Sequence, residues 1–103
     1  MHCEMWTYQL PPSMTEAEVR ELFVSVADRY LGIPGLVRKY FGYSDDGREV
    51  VTIYLWHSQA DADAFHTPAW IADAAARWGA APTKKTWTVP VIAESALGAV
   101  ITR

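Results

Sequence analysis

The sequence predicts an α+β domain in the order β-α-β-β-α-β, with a four-stranded antiparallel sheet carrying its helices on one face. Three observations predict it. Residues 35–43 and 49–57, rich in β-branched and aromatic types, flank Asp46-Gly47, a dipeptide that signals a hairpin. A stripe of apolar residues at helical spacing precedes that hairpin. A second helical stretch and an alternating run follow it.

The first strand is predicted over residues 3–10, where Met5, Trp6, Thr7 and Tyr8 suit a pleated strand and Pro11-Pro12 ends it. Trp6 and Tyr8 share one side and Met5, Thr7 and Gln9 the other; which side is covered is left open. The first helix starts at Thr15, with Glu18 completing a capping box and Met14 and Val19 placed as a hydrophobic staple. Val19, Leu22, Phe23, Val26, Ala27 and Tyr30 form its inward stripe, and Gly32 followed by Pro34-Gly35 stops it.

In the hairpin, a two-residue type I′ turn at Asp46-Gly47 pairs Asp45 with Arg48. Lys39 then lies opposite Tyr54, Phe41 opposite Thr52, and Val37 opposite Trp56, all six on one face. The opposite face carries Leu36, Arg38, Tyr40, Val51, Ile53 and Leu55. The aliphatic face is expected to meet the helices, and the mixed Lys39–Tyr54 face to stay bare for a partner or substrate.

Ser58 caps a second helix with Asp61 in its first turn, and Thr67-Pro68 restarts it. Ile71, Ala74, Ala75 and Trp78 point inward and Gly79 closes it. The last strand is predicted over residues 83–92, with Lys85, Trp87, Val89 and Val91 alternating with Lys84, Thr86, Thr88 and Pro90. The tail, residues 94–103, carries Leu97, Val100 and Ile101 and is apolar enough to dock, a partner subunit being one place for it. Two right-handed βαβ units in this order make the ferredoxin-like fold. A bare sheet face of this kind is an apolar patch that a symmetric copy would cover, closing a barrel.

The 103 residues are read as a single domain, 1–103, half of them hydrophobic. The net charge of −3 is spread along the chain and offers no basic face for nucleic acid. Cys3 is the only cysteine, which rules out an internal disulfide and a cysteine-rich metal site. No apolar run is long enough to span a bilayer, and the N-terminus lacks the pattern of a signal peptide, so a cytoplasmic protein is the default expectation.

Residues 34–40 (Pro-Gly-Leu-Val-Arg-Lys-Tyr), 51–56 (Val-Thr-Ile-Tyr-Leu-Trp) and 62–66 (Ala-Asp-Ala-Phe-His) carry a family likeness. Through them the chain resembles the dimeric α/β-barrel superfamily, and more closely the small YdhR-like monooxygenase-type proteins, relatives of the antibiotic-biosynthesis monooxygenases. These motifs are hydrophobic patterns rather than a catalytic signature. The resemblance implies a homodimer and an oxygenase that needs no metal, flavin or haem. It also implies an electron-rich aromatic or quinol substrate whose deprotonated form reacts with oxygen directly.

Lys39 is the first candidate for chemistry. Partly desolvated among Phe41, Tyr54 and Trp56, it would stabilise a phenolate or enolate; the alternative is a lysine that snorkels to the rim or pairs with an acid. Tyr54, opposite it, is expected to gain phenolate character and orient a substrate oxygen, or else to be a packing aromatic. His66, at the break between helical segments and beside Trp70, is a candidate general base, against the reading of a turn histidine with no role. Phe41, Thr52, Trp56, Trp70 and Trp87 are the candidate substrate-binding residues, the tryptophans as walls for a planar ring. His57 is expected to face solvent, and no histidine or carboxylate spacing suggests a metal site. The expected activity is cofactor-independent monooxygenation of a small aromatic, quinol or polyketide-like molecule. A non-oxidative cyclase, isomerase or dehydratase in the same pocket, and a non-enzymatic small-molecule binder, are the alternatives.

Overall fold

The computed structural model describes residues 1–102. Strand β1 (His2–Gln9) leads into helix α1 (Glu16–Val26), which tightens into a 3-10 turn at Ala27–Tyr30. Strands β2 (Leu36–Tyr43) and β3 (Glu49–Trp56) form the hairpin. Helices α2 (Gln59–Phe65) and α3 (Pro68–Trp78) lead to β4 (Thr83–Thr88), β5 (Val91–Glu94) and β6 (Ala99–Thr102). The main sheet has the order β2-β3-β1-β4, and every neighbouring pair is antiparallel. This is the ferredoxin-like arrangement expected from the sequence. Among the described residues no helix is long and apolar enough to cross a membrane.

The helix starts follow local chemistry. Thr15 Oγ1 accepts the Glu18 amide while the Glu18 carboxylate accepts the Thr15 amide, the reciprocal capping box. Ser58 and Thr67 cap α2 and α3 one way only, their hydroxyls accepting from the amides of Asp61 and Trp70. Pro68 occupies the first turn of α3.

The hairpin turn differs from the expected type I′. Type I′ needs positive φ at both centre residues, yet among the described residues only glycines take positive φ, so Asp46 does not. The chain uses a four-residue loop, residues 45–48, in which the Gly47 amide donates to the Ser44 carbonyl at 2.8 Å and Gly47 takes φ +70°. The Asp46 carboxylate accepts from the Ser44 hydroxyl and the Arg48 amide, and these bonds hold it below the usual carboxylate range. Two residues and four residues are both even, so Lys39 still pairs with Tyr54 and Phe41 with Thr52. The third expected pair is corrected. A bulge makes Leu36 the partner of Trp56 and leaves Val37 as the extra residue.

The assignment of faces is reversed. The mixed face, with Tyr54 and Trp56 fully buried and Thr52 nearly so, lies under the helices together with Glu4, Trp6 and Tyr8 of β1. The aliphatic residues Val51, Ile53 and Leu55 share the opposite, open face with Met5 and Cys3. The cause is side-chain volume. The helices place the small residues Ala62 and Ala74 in the core, and the large rings of Trp6, Tyr8, Tyr54 and Trp56 fill most of the layer beneath them. The predicted last strand is also divided: Pro90 separates β4 from β5, and β5 pairs with β6 as a two-stranded ribbon. Arg38 on the open face donates to the Glu94 carboxylate at 3.2 Å, tying that ribbon to β2.

Candidate active site

Reversing the faces puts the mixed face of the hairpin inside the subunit. Between it and helices α1 and α3 lies a cavity of about 120 Å³. Tyr8, Thr52 and Tyr54 form its sheet side with Lys39 and Phe41; Phe23 and Tyr30 come from the α1 side, and Trp70, Asp73, Arg77 and Trp78 from α3. Most of this lining is the inward stripe that amphipathic patterning built for packing.

Lys39 reaches into this space from the edge strand. Its Nζ stands 3.3 Å above the Tyr30 ring centre, 4.2 Å from that of Phe41 and 4.6 Å from that of Tyr54. Among the described residues no carboxylate pairs with it. Burial, and secondarily the Arg77 guanidinium, push its pKa down from the ordinary lysine value to about 7. The ring faces oppose this by favouring the cation. The expectation of a desolvated lysine stands, with helices rather than a partner sheet supplying the desolvation.

Tyr54 lies across from Lys39 and is fully buried. The expected phenolate character is corrected: burial, reinforced by Tyr30 and Tyr8, drives its pKa up, so the phenol keeps its proton. Burial raises Tyr8 likewise. The hydroxyls of Tyr30 and Thr52 adjoin that of Tyr54, and Thr52 also adjoins Tyr8. Even so, Tyr54 Oη and Thr52 Oγ1 close no hydrogen bond among the described residues.

Of the other expected residues, Phe41, Thr52 and Trp70 line the cavity. Trp56 does not. It stacks on Tyr54 at 5.8 Å between centroids and donates from Nε1 to Glu4 at 2.9 Å, supporting the wall from behind. Trp87 is on the open face, paired with Cys3 and 48 % exposed, and cannot touch a ligand held under the helices. His66 is buried outside the lining, its ring 4.5 Å from that of Tyr54 and 4.3 Å from that of Trp70. His57 faces solvent.

His66 leads to a residue that the sequence reading passed over. Its Nδ1 lies 2.7 Å from Oε1 of Glu4, a buried carboxylate on β1 that also accepts from Trp56 and has Lys84 Nζ 4.0 Å from its other oxygen. Burial alone would raise the Glu4 pKa. The hydrogen bond and charge of His66, with Trp56 and Lys84, outweigh it and hold Glu4 below the ordinary value. The signal was its period of two with Trp6 and Tyr8. Tyr8, Tyr30, Asp73 and Arg77 were also missed as lining; only Tyr30 had been placed facing inward. Among the described residues, no three histidine, cysteine or carboxylate groups converge as metal ligands.

With this geometry in view, the chain shares its ferredoxin-like fold with solved structures of proteins described as antibiotic-biosynthesis monooxygenases. A candidate monooxygenase of that type from Nitrosomonas europaea superposes with a TM-score of 0.66 at 20% identity, over 86% of this chain and 98% of that one. SnoaB of Streptomyces nogalater, a cofactor-independent oxygenase, gives 0.59 at 19% identity, over 85% and 91%. The monooxygenase from the ActVA-Orf6 gene of Streptomyces coelicolor, solved with nanaomycin D, gives 0.59 at 16% identity, over 85% and 86%. No protein-family model and no curated protein sequence matches the chain.

Proposed function

We propose that this chain is a single domain, 1–103, that works as a homodimeric, cofactor-independent monooxygenase on a small aromatic substrate held under helices α1 and α3. The observation that carries the reading is Lys39, a half-buried amine with no paired carboxylate among the described residues, facing a cavity walled by aromatic rings. An amine with a pKa near 7 is divided between base and conjugate acid at neutral pH, which suits it to take a proton and return it.

Lys39 removes the hydroxyl proton of a phenol-type ring, and the resulting ammonium stabilises the anion. The anion passes one electron to oxygen, and the radical pair couples at an unsubstituted ring carbon. Protonation from Lys39 gives a hydroperoxide. Loss of the carbon-bound hydrogen with cleavage of the O–O bond then leaves a carbonyl and releases water. A phenol and O₂ thus become a quinone and H₂O, the ring supplying all four electrons. The fold shared with SnoaB, which carries out oxygenation without a cofactor, supports this reading. His66 and Glu4 act as positioning residues, holding the Tyr54 and Trp70 rings from behind.

The open face supports the dimer. Met5, Val51, Ile53 and Leu55 form an apolar strip between Tyr40 and Trp87, which are 55 % and 48 % exposed. A second copy laid on it would remove that patch from water.

Metal-free protein, incubated with phenols and quinols under oxygen, tests the activity. Oxygen uptake matched to quinone formation is expected, lost in Lys39→Met. Absence of uptake across the panel, or turnover that proceeds equally without oxygen, overturns the oxygenase reading.

A further inference from the structure

Lys39 differs from the other lysines of the chain in surroundings as well as depth. Lys84 and Lys85 are exposed on β4, and Lys84 has the Glu4 carboxylate 4.0 Å from its amine. Lys39 is half-buried, enters the cavity, and pairs with no carboxylate among the described residues. A second cation, Arg77, lines the same cavity from α3 and is likewise without an ion pair among them. Asp73, one turn earlier on α3, is the only carboxylate in the described lining, and it pairs with neither cation. Arg77 and Asp73 are exposed, so the cavity opens to water along α3, while its amine end is enclosed by the Tyr30, Phe41 and Tyr54 rings. An amine withdrawn from water beside another cation is the environment that makes a lysine a nucleophile toward carbonyl carbon.

From this we infer that Lys39 is also a covalent site, whose amine condenses reversibly with a small aromatic aldehyde or ketone bearing a carboxylate, and that Arg77 binds that carboxylate at the mouth. The amine nitrogen bonds to the carbonyl carbon. The carbonyl oxygen leaves with two amine hydrogens as water, and an imine remains; nothing is oxidised or reduced. In its protonated form the imine is a cation over the same Tyr30, Phe41 and Tyr54 faces that the ammonium occupies, so the cation–π attraction is kept. Volume limits the buried part of the ligand. A cavity of about 120 Å³ is comparable to the engineered space of roughly 150 Å³ that holds a benzene, which admits one ring and leaves the carboxylate at the open end. Arg77 offers that carboxylate a planar fork of donors. The covalent site shares its cavity with the oxygenase reading and does not depend on it, since no oxygen is consumed.

Reductive trapping under nitrogen tests the site separately from oxygen chemistry. The full chain is incubated near neutral pH with benzaldehyde or with its meta- or para-carboxylated form, reduced with sodium cyanoborohydride, and mapped by peptide mass spectrometry. Reduction fixes each imine as a secondary amine, a mass gain of one probe less one oxygen atom. Lys39 should carry at least about tenfold more adduct than the exposed Lys84 or Lys85. At least one carboxylated probe should exceed benzaldehyde at Lys39 by about tenfold, the worth of one charge-assisted hydrogen bond. Arg77→Gln changes an exposed side chain and should melt as wild type does, while bringing the carboxylated probes within about threefold of benzaldehyde. Benzoate, which has the carboxylate and no carbonyl, should protect Lys39 in wild type and not in Arg77→Gln. Adduct spread evenly over the three lysines overturns the covalent site. Benzaldehyde trapped as well as both carboxylated probes, or a preference that survives Arg77→Gln, overturns the ligand class. A Lys39 adduct without oxygen uptake on phenols leaves this inference standing and sinks the oxygenase; uptake without an adduct does the reverse.

Discussion

Replacing Lys39 with methionine should stabilise the protein at neutral pH while abolishing turnover. The folded pKa of about 7 lies some 3.5 units below the ordinary 10.5. At about 1.4 kcal/mol per unit, holding the charged lysine in this site costs up to roughly 5 kcal/mol. At pH 7, where half the population is neutral, roughly 4 kcal/mol of that remains. The Tyr30, Phe41 and Tyr54 rings return some of it, at about 0.5–1 kcal/mol per cation–π contact. Methionine keeps the stem without the charge, so a net gain of about 2 kcal/mol is expected. Between pH 7 and 10.5 the unfolded chain binds the extra proton, so raising the pH favours the wild-type fold. The advantage of the variant is therefore greatest below pH 7 and shrinks toward pH 10. Urea titrations of both proteins at pH 6, 7.5 and 9, followed by tryptophan fluorescence, measure the gap. A gap that stays flat across these pH values would refute the desolvated amine and place Lys39 in solvent.

Three further outcomes follow from the same geometry. Glu4→Ala strands Trp56 Nε1 and His66 Nδ1 in the core and should cost on the order of 3 kcal/mol in chemical denaturation. Because the folded Glu4 pKa is depressed below 4.5, its contribution is present above that pH and is lost as the pH falls through the folded value; Glu4→Gln should flatten that acid limb. Gly35→Ala should lower the melting temperature by several degrees, because Gly35 takes φ +78° and a Cβ there would collide with the Asp61 side chain in the first turn of α2. Ile53→Glu on the open face should yield a monomer in sedimentation velocity, with the affinity of Lys39-dependent ligands retained; an unchanged association state would remove the proposed dimer surface.

What the sequence disclosed divides by range. The caps at Thr15, Ser58 and Thr67 were readable because each depends on residues within three positions. Element order followed, since period 3.6 and period 2 are local too. The turn was misread because Asp46-Gly47 is compatible with two loops, and the choice falls to whether Asp46 accepts positive φ; here its carboxylate binds Ser44 and Arg48 instead. Burial of a face is not local. Val51, Ile53 and Leu55 look like a core and Lys39, Thr52 and Tyr54 look like a surface until the alanines of α2 and α3 are set above them. Glu4 was hidden for the same reason: on an unassigned strand face, a buried carboxylate and a solvated one read alike.

The reversal separates two roles that the hairpin was first expected to combine on one face. Lys39 and Phe41 face the cavity from β2, while Arg38 and Tyr40, between and beside them, face the open side, where Arg38 donates to the Tyr40 hydroxyl and to Glu94. In the proposed reading, chemistry and association thus occupy opposite faces of one edge strand. An edge strand is hydrogen-bonded on one side only, and β2 carries a bulge at Val37, two residues before the lysine. A copy covering Arg38 and Tyr40 would restrain the backbone that aims the Lys39 amine without contributing an atom to the pocket. Dissociating the subunits by Ile53→Glu should then leave ligand affinity intact and lower turnover. A change confined to the inner face, such as Thr52→Val, should shift affinity and leave association unchanged.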